Sequence, residues 1–382
     1  MSSAEKLANR LALALCLLIA PAGAQAADTG GYSPVAPGGT KPYLPIPSFR
    51  DMMMPDKPEQ ADEPQDDVAK AARPEAPVDP NADLAFGAFQ RGLYQRAFEE
   101  AKKRAEANPP DRAAMTLLGE LYANGYGVPR KPEEAVRWYQ RAADAGDPRA
   151  MTTLALARLE GFGSKKDETA AVALLEKAGE KNEAEALYNL ALIELERANA
   201  PQQAAAAARR MKRAADLGEA AAQYAYAVLL REGRGVEKDP SAATEWLRRA
   251  AEQDDVAALV EYAIALFKGT GTVSNEAEAA RLFRRAADRG NAIAQNRLAR
   301  LYAYGRGVDR DPVKAAAWHR LSAAQGLKDP WLEGFVGTLD EKDKAAADAL
   351  TARWSERFGP IPRVSQAAMT SGGETTASST KQ

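Results

Sequence analysis

Residue types that do chemistry are scarce in this chain. Its 382 residues include one histidine, His319, and one cysteine, Cys16. A serine or cysteine nucleophile needs a base beside it, most often histidine, and that base needs an orienting partner of its own. A zinc site of ordinary composition draws on several cysteines and histidines. With one histidine, a Ser–His or Cys–His arrangement has no second supporting signal, and a zinc site of ordinary composition is not expected. His319 also falls in one column with Tyr139, Leu175, Met211, Leu247 and Phe283, which recur every 36 residues. That column is large and mostly apolar, so the imidazole is expected to pack rather than to react. No catalytic residue, metal site or cofactor is expected, and the chain reads as a non-enzyme.

Charged and glycine-rich motifs read the same way. Glu133-Glu134 and Asp254-Asp255 fall at helix starts or inter-unit turns, where acids complement the helix dipole; they are solvated caps before they are a general acid/base pair. Gly125-Tyr126-Gly127-Val128 has echoes in Gly233-Arg234-Gly235-Val236 and Gly305-Arg306-Gly307-Val308. These lack the Gly-Lys-Ser/Thr of a phosphate loop and follow a helix rather than a strand. The pairs Arg209-Arg210, Arg248-Arg249 and Arg284-Arg285 have acids nearby to balance them. The formal net charge is −2, which gives no reason to expect nucleic acid or an acidic membrane as partner.

What positions these residues is a repeat. Ala114, Ala150, Ala186, Ala222, Ala258 and Ala294 stand 36 residues apart without a slip. Five positions after each comes Gly119, Ala155, Ala191, Ala227, Ala263 or Ala299. Further on, Ala135, Ala171, Ala207, Ala243, Ala279 and Ala315 form another column, and Ala142, Ala178, Ala214, Ala250, Ala286 and Ser322 a third. Small residues at these spacings mark places where two helix backbones approach closely. Leu118, Leu154, Leu190, Tyr226, Tyr262 and Leu298 fill a first helix, helix A. Trp138, Leu174, Trp246, Leu282 and Trp318 fill a second, helix B, with Arg210 breaking that column in the third unit. Glycines past helix A can take positive φ, and Asp239-Pro240 and Asp311-Pro312 place a capping aspartate before a first-turn proline. No stretch alternates with a period of two. The expectation is an all-α solenoid of tandem helix–turn–helix repeats, stacked because one helix pair cannot bury its apolar face alone. The third unit replaces its glycine turn with Arg197-Ala198-Asn199-Ala200-Pro201 and is expected to be the softest.

The flanks differ in composition. Lys6 and Arg10, an apolar run from Leu11 to Ala20, and Ala24-Gln25-Ala26 make residues 1–26 a signal peptide; the run is too short to span a bilayer. Cleavage after Ala26 removes Cys16, so no disulfide and no stable membrane insertion are expected of the mature chain. Residues 27–82 hold eleven of the 23 prolines and an excess of acids, and are expected to be a disordered linker. The organisation expected is a helix pair at 83–112, six 36-residue repeats at 113–328, a helical cap at 329–360 and a disordered tail at 361–382.

The first unit, AMTLLGELYANGYGVPRKPEEAVRWYQRAADAGDPR, resembles the Sel1-like repeat, a relative of the tetratricopeptide repeat, and the pattern runs through residues 113–327. Gly92-Leu93-Tyr94, Ala97, Ala105 and Pro109 fall where a tetratricopeptide repeat has its glycine, aromatic, small residues and terminal proline. The resemblance implies a right-handed α/α superhelix that binds partners in its concave face. By analogy, helix A supplies that face, which gives Tyr188, Leu192, Tyr224, Val228, Ile264, Phe267, Asn296, Arg300 and Tyr304 as candidate binding residues. The same positions can equally serve packing in a tighter superhelix, and both readings stay open at this point. Joined to a signal peptide, the array implies a non-enzymatic periplasmic or secreted scaffold or adaptor. It would bind a protein partner in the cell envelope, regulating envelope signalling or exopolysaccharide production. The alternative is an envelope protein that binds peptidoglycan or polysaccharide, with a cell-wall glycan as partner.

Overall fold

The structure, a computed structural model, describes residues 84–356. The signal peptide, the proline-rich segment at 27–82 and the Ser/Thr-rich tail expected from the sequence lie outside the described residues. Sixteen helices and no strand are found among the described residues. The chain divides into two compact units, Met1–Ala222 and Gln223–Gln382.

In the first unit the helices come in pairs. These are α1 (Leu84–Gln90) with α2 (Tyr94–Ala105), α3 (Arg112–Asn124) with α4 (Pro132–Asp144), α5 (Pro148–Glu160) with α6 (Glu168–Glu180), and α7 (Ala184–Arg197) with α8 (Pro201–Asp216). Each pair packs internally, and α2, α4 and α6 pack in turn on the first helix of the next pair. The core is the set of columns read above: Leu118, Tyr139, Leu154, Leu175, Leu190 and Met211 are buried, each worth roughly 1.5–3 kcal/mol if leucine-sized. The small columns are contact points. A Cβ added to Gly119 would lie 2.4 Å from the Tyr139 ring.

The turns explain how 36 residues are kept. Gly125 and Gly161 end helices α3 and α5 in the left-handed region, and seven-residue connections lead to α4 and α6. The second glycine of the turn touches the preceding pair: a Cβ on Gly163 would fall 2.2 Å from the Pro132 carbonyl oxygen, at the start of α4. The third repeat solves the same problem differently. The connection from α7 to α8 is only Ala198–Ala200, while α7 and α8 run to 14 and 16 residues against 13 in the neighbouring repeats. Pro201, suited to the first position of a helix, starts α8 early, so helix absorbs what the turn gives up. Arg197 reaches Glu168, the first residue of α6, with an ion pair where other repeats make a glycine contact. Arg210, which breaks the aromatic column, pairs with Glu194 at 3.0 Å.

The second unit holds most of α9 (Ala220–Glu232), then α10 (Pro240–Glu252), α11 (Val256–Lys268), α12 (Glu276–Ala287), α13 (Ala292–Tyr304), α14 (Pro312–Ala324), α15 (Pro330–Gly337) and α16 (Glu341–Ser355). Asp239 and Asp311 cap α10 and α14 by accepting from the backbone N–H of Ala242 and Lys314, both at 2.9 Å. Helix B ends on a positive φ in every repeat, at Gly146, Asn182, Gly218, Asp254, Gly290 and Gly326. Asn and Asp are the side chains that best tolerate that region. Both do a second job here: Asn182 accepts from Arg213 and Asp254 from Arg285, each on the next helix B. At the far end α16 packs on α14, with the Trp354 ring 4.4 Å from Trp318.

Candidate functional site

The helix-A face begins with the residues that cap those helices. Three positions before each marker alanine stand Asp111, Asp147, Glu183, Glu219, Asp255 and Asn291. Asp111, Asp147, Asp255 and Asn291 accept hydrogen bonds from backbone N–H groups of the first turn. Glu183, one methylene longer, makes no such cap. The cap of one repeat also meets the helix A before it. Thr116 donates to Asp147 at 2.8 Å, and Arg149, two residues on, pairs with Glu120 at 3.0 Å. A polar seam therefore runs between α3 and α5.

In the first unit this seam is acidic. Glu120, Asp147, Glu183, Glu185 and Glu219 lie within electrostatic reach of one another, and Arg149 is the cation among them. Burial is the main cause that pushes the Glu185 carboxyl up to about 7, with Glu219, Glu183 and Glu120 adding to it and Arg149 opposing. Glu120 and Glu183 are raised for the same first reason. The Tyr139 hydroxyl, completely buried, has no hydrogen-bond partner and sits in the field of Glu120 and Arg149.

The candidate residues read from the sequence are distributed along this face. Tyr188 and Leu192 in the first unit are each 8% exposed, so both are largely packed. In the second unit Val228 is buried, while Tyr224, Ile264 and Phe267 are half-buried, and the Arg306 guanidinium covers the Phe267 ring at 4.2 Å. Asn296, Arg300 and Tyr304 converge on the start of α15. Asn296 donates to Asp329, and Arg300 donates to both of its oxygens, all at 2.8 Å. Arg300 and the Asn296 amide hold the Asp329 carboxyl below its ordinary range against the opposing effect of burial. The Tyr304 ring stacks on Trp331 at 4.5 Å, and Trp331 on Phe335 at 5.6 Å; Tyr304 and Trp331 stay 50% and 38% exposed.

The acidic seam escaped the sequence reading, which weighed adjacent acids instead. Glu134 pairs with Arg137, Asp255 caps α11, and Asp254 takes Arg285 and Arg289. The available signal was the capping column, where two glutamates replace Asp or Asn. His319 is 5% exposed and its Nδ1 has no partner. Burial depresses its pKa, with Asp329 and Glu333 opposing. Among the described residues no group of three or more His, Cys, Asp or Glu is placed to hold a metal ion.

Paired helices and capping turns repeated at one interval define a helical-repeat scaffold. The chain belongs to the Sel1 repeat family: the family model matches six consecutive repeats, at residues 112–147, 148–183, 184–219, 220–255, 256–291 and 292–327. Among solved structures it is similar to a Sel1 repeat protein from Oxalobacter formigenes, at 28% identity and a TM-score of 0.56, over 63% of this chain and 97% of that one. It also matches a protective antigen of uropathogenic Escherichia coli with the same fold, at 25% identity and a TM-score of 0.46, over 76% of this chain and 69% of that one. None of the curated proteins matches the chain. Sel1 repeats form a scaffold suited to protein–protein interaction.

Proposed function

We propose that this protein is a non-enzymatic scaffold or adaptor of the periplasm, or a secreted one, that holds a protein partner of the cell envelope on its helix-A face. Regulation of envelope signalling or of exopolysaccharide output is the role this reading assigns. The observation that carries it is the helix-A seam, where a run of half-buried acids is left short of counter-charge in a fold built for binding. Export is supported by the sequence of residues 1–26, with its basic start, short apolar run and Ala24-Gln25-Ala26. The test is crosslinking capture with the full chain in the organism that makes it, alongside sedimentation with purified cell wall. A specific envelope protein captured in the periplasmic or secreted fraction is the expected result. Co-sedimentation with cell wall and no protein crosslink would sink the reading. That outcome would favour the glycan-binding alternative, for which the exposed rings of Tyr304 and Trp331 are the supporting feature.

A further inference from the structure

We propose that the acidic helix-A seam of the first unit receives a lysine or arginine side chain from the partner protein, which must therefore present a basic segment. The proposal rests on the scaffold reading above and names the chemistry of the partner. Charge is the first observation. Five carboxylates meet one guanidinium, and both Arg149 and Asp147 are already committed, Arg149 to Glu120 at 3.0 Å and Asp147 to the first turn of α5 and to Thr116. Glu183, Glu185 and Glu219 are left with no ion pair among the described residues. Departure from the capping rule is the second. Four repeats place a short Asp or Asn at the cap and use it there, whereas Glu183 is free of that duty. Tyr139 is an independent sign. Its hydroxyl is wholly buried beside Glu120 and Arg149 without a partner, and a buried polar group left unsatisfied costs roughly 1–3 kcal/mol. The network thus lacks a cation at one end and a hydrogen-bond partner at the other.

A side-chain cation fits better than a metal ion. The acids are not grouped closely enough to share one, whereas an ammonium or guanidinium offers several donors to spread-out acceptors. Tyr188 follows Glu185 by three residues on the same helix face, next to where the aliphatic stem of such a side chain would lie.

The test is fluorescence anisotropy of the full chain with a labelled unstructured peptide carrying three lysines, against the same peptide with glutamines in their place. The lysine peptide is expected to bind, to weaken as salt rises, and to lose about tenfold or more in affinity, about 1.4 kcal/mol, in the double variant E183Q/E185Q. The control E133Q/E134Q, which removes exposed acids elsewhere, is expected to bind as the wild type does. Urea unfolding of each variant shows that it is folded, and E219Q gives an independent second substitution. An unchanged affinity in E183Q/E185Q and E219Q, an equal loss in the control, or displacement by spermidine at matched charge concentration would each overturn the assignment. Partner capture left intact in E183Q/E185Q counts against this seam alone; failure of capture by the wild-type chain counts against the scaffold reading.

Discussion

At Glu185 burial and neighbouring carboxylates act in the same direction, and the result is a carboxyl that titrates near neutrality, at about 7. In the unfolded chain the group returns to its ordinary 4.5. The folded state therefore binds more protons between these values, and stability is fully present below about 4.5 and lost as pH rises through 7. Glu185→Gln removes that loss, so urea unfolding should show the variant gaining about 2–3 kcal/mol more at pH 8 than at pH 5. An equal effect at both pH values would mean that the carboxylate is not destabilised by folding. His319 has the opposite sign. Burial lowers its pKa, so the unfolded chain binds the proton first. Stability is present above the unfolded value of 6.5 and falls as pH drops toward the folded one. His319→Phe, which copies Phe283 in the same column, should flatten the acid side of the stability profile and leave the neutral side within about 1.5 kcal/mol of wild type. A profile that keeps its acid slope would place the cause elsewhere.

At the scale of the helix pair, the two glycines of one turn have different jobs. Gly269 caps α11 at a φ of 71°, and a Cβ there would meet Ser274 at an ordinary 3.5 Å. Gly271 also has positive φ, but its Cβ would lie 2.2 Å from the Pro240 carbonyl oxygen and 2.7 Å from the Thr244 hydroxyl. Gly269→Ala should cost about 1–2 kcal/mol, the strain of a left-handed alanine. Gly271→Ala should cost about 3 kcal/mol or more, because the turn must also lift off α10. Equal midpoints in denaturant would refute the division of labour. The first of these jobs was legible in sequence, since a glycine just past a periodic run has a local cause. The second was not, because Pro240 and Gly271 are neighbours only after stacking. The acidic seam hid for the same reason: Glu185 and Glu219 stand at the starts of successive A helices, far apart in sequence, and the adjacent acids that drew notice turned out to be caps and surface pairs. The early start of α8 at Pro201 lay between these cases. The proline was visible, but nothing local showed that helix would replace the turn. On the helix-A stripe, periodicity identified the face, yet it could not show that Asn296 and Arg300 are held by Asp329, whose register follows α15 rather than the repeat.

At the scale of the whole molecule, each unit is built from helices that pack chiefly on those next in sequence, so stability within a unit should be close to a sum of repeat and nearest-neighbour terms. Leu154 is a clean probe. It is completely buried on α5, and truncation to alanine should cost about 2–5 kcal/mol. In a globular core that loss would be shared by every helix through one cooperative transition. Here amide exchange should quicken in α5, α6 and the helices packed on them, α4 and α7. Protection in α12 to α14, which belong to the other unit, should stay at wild-type values under native conditions. The third repeat sharpens the test, because its extended α8 and the Arg197–Glu168 pair replace the glycine contact. If that substitution couples as firmly as a glycine turn, the disturbance should pass equally toward α4 and toward α8. If it couples weakly, exchange should rise in α3 and α4 while α8 stays protected. A uniform loss of protection along the chain would reject the nearest-neighbour account and make the array one cooperative body.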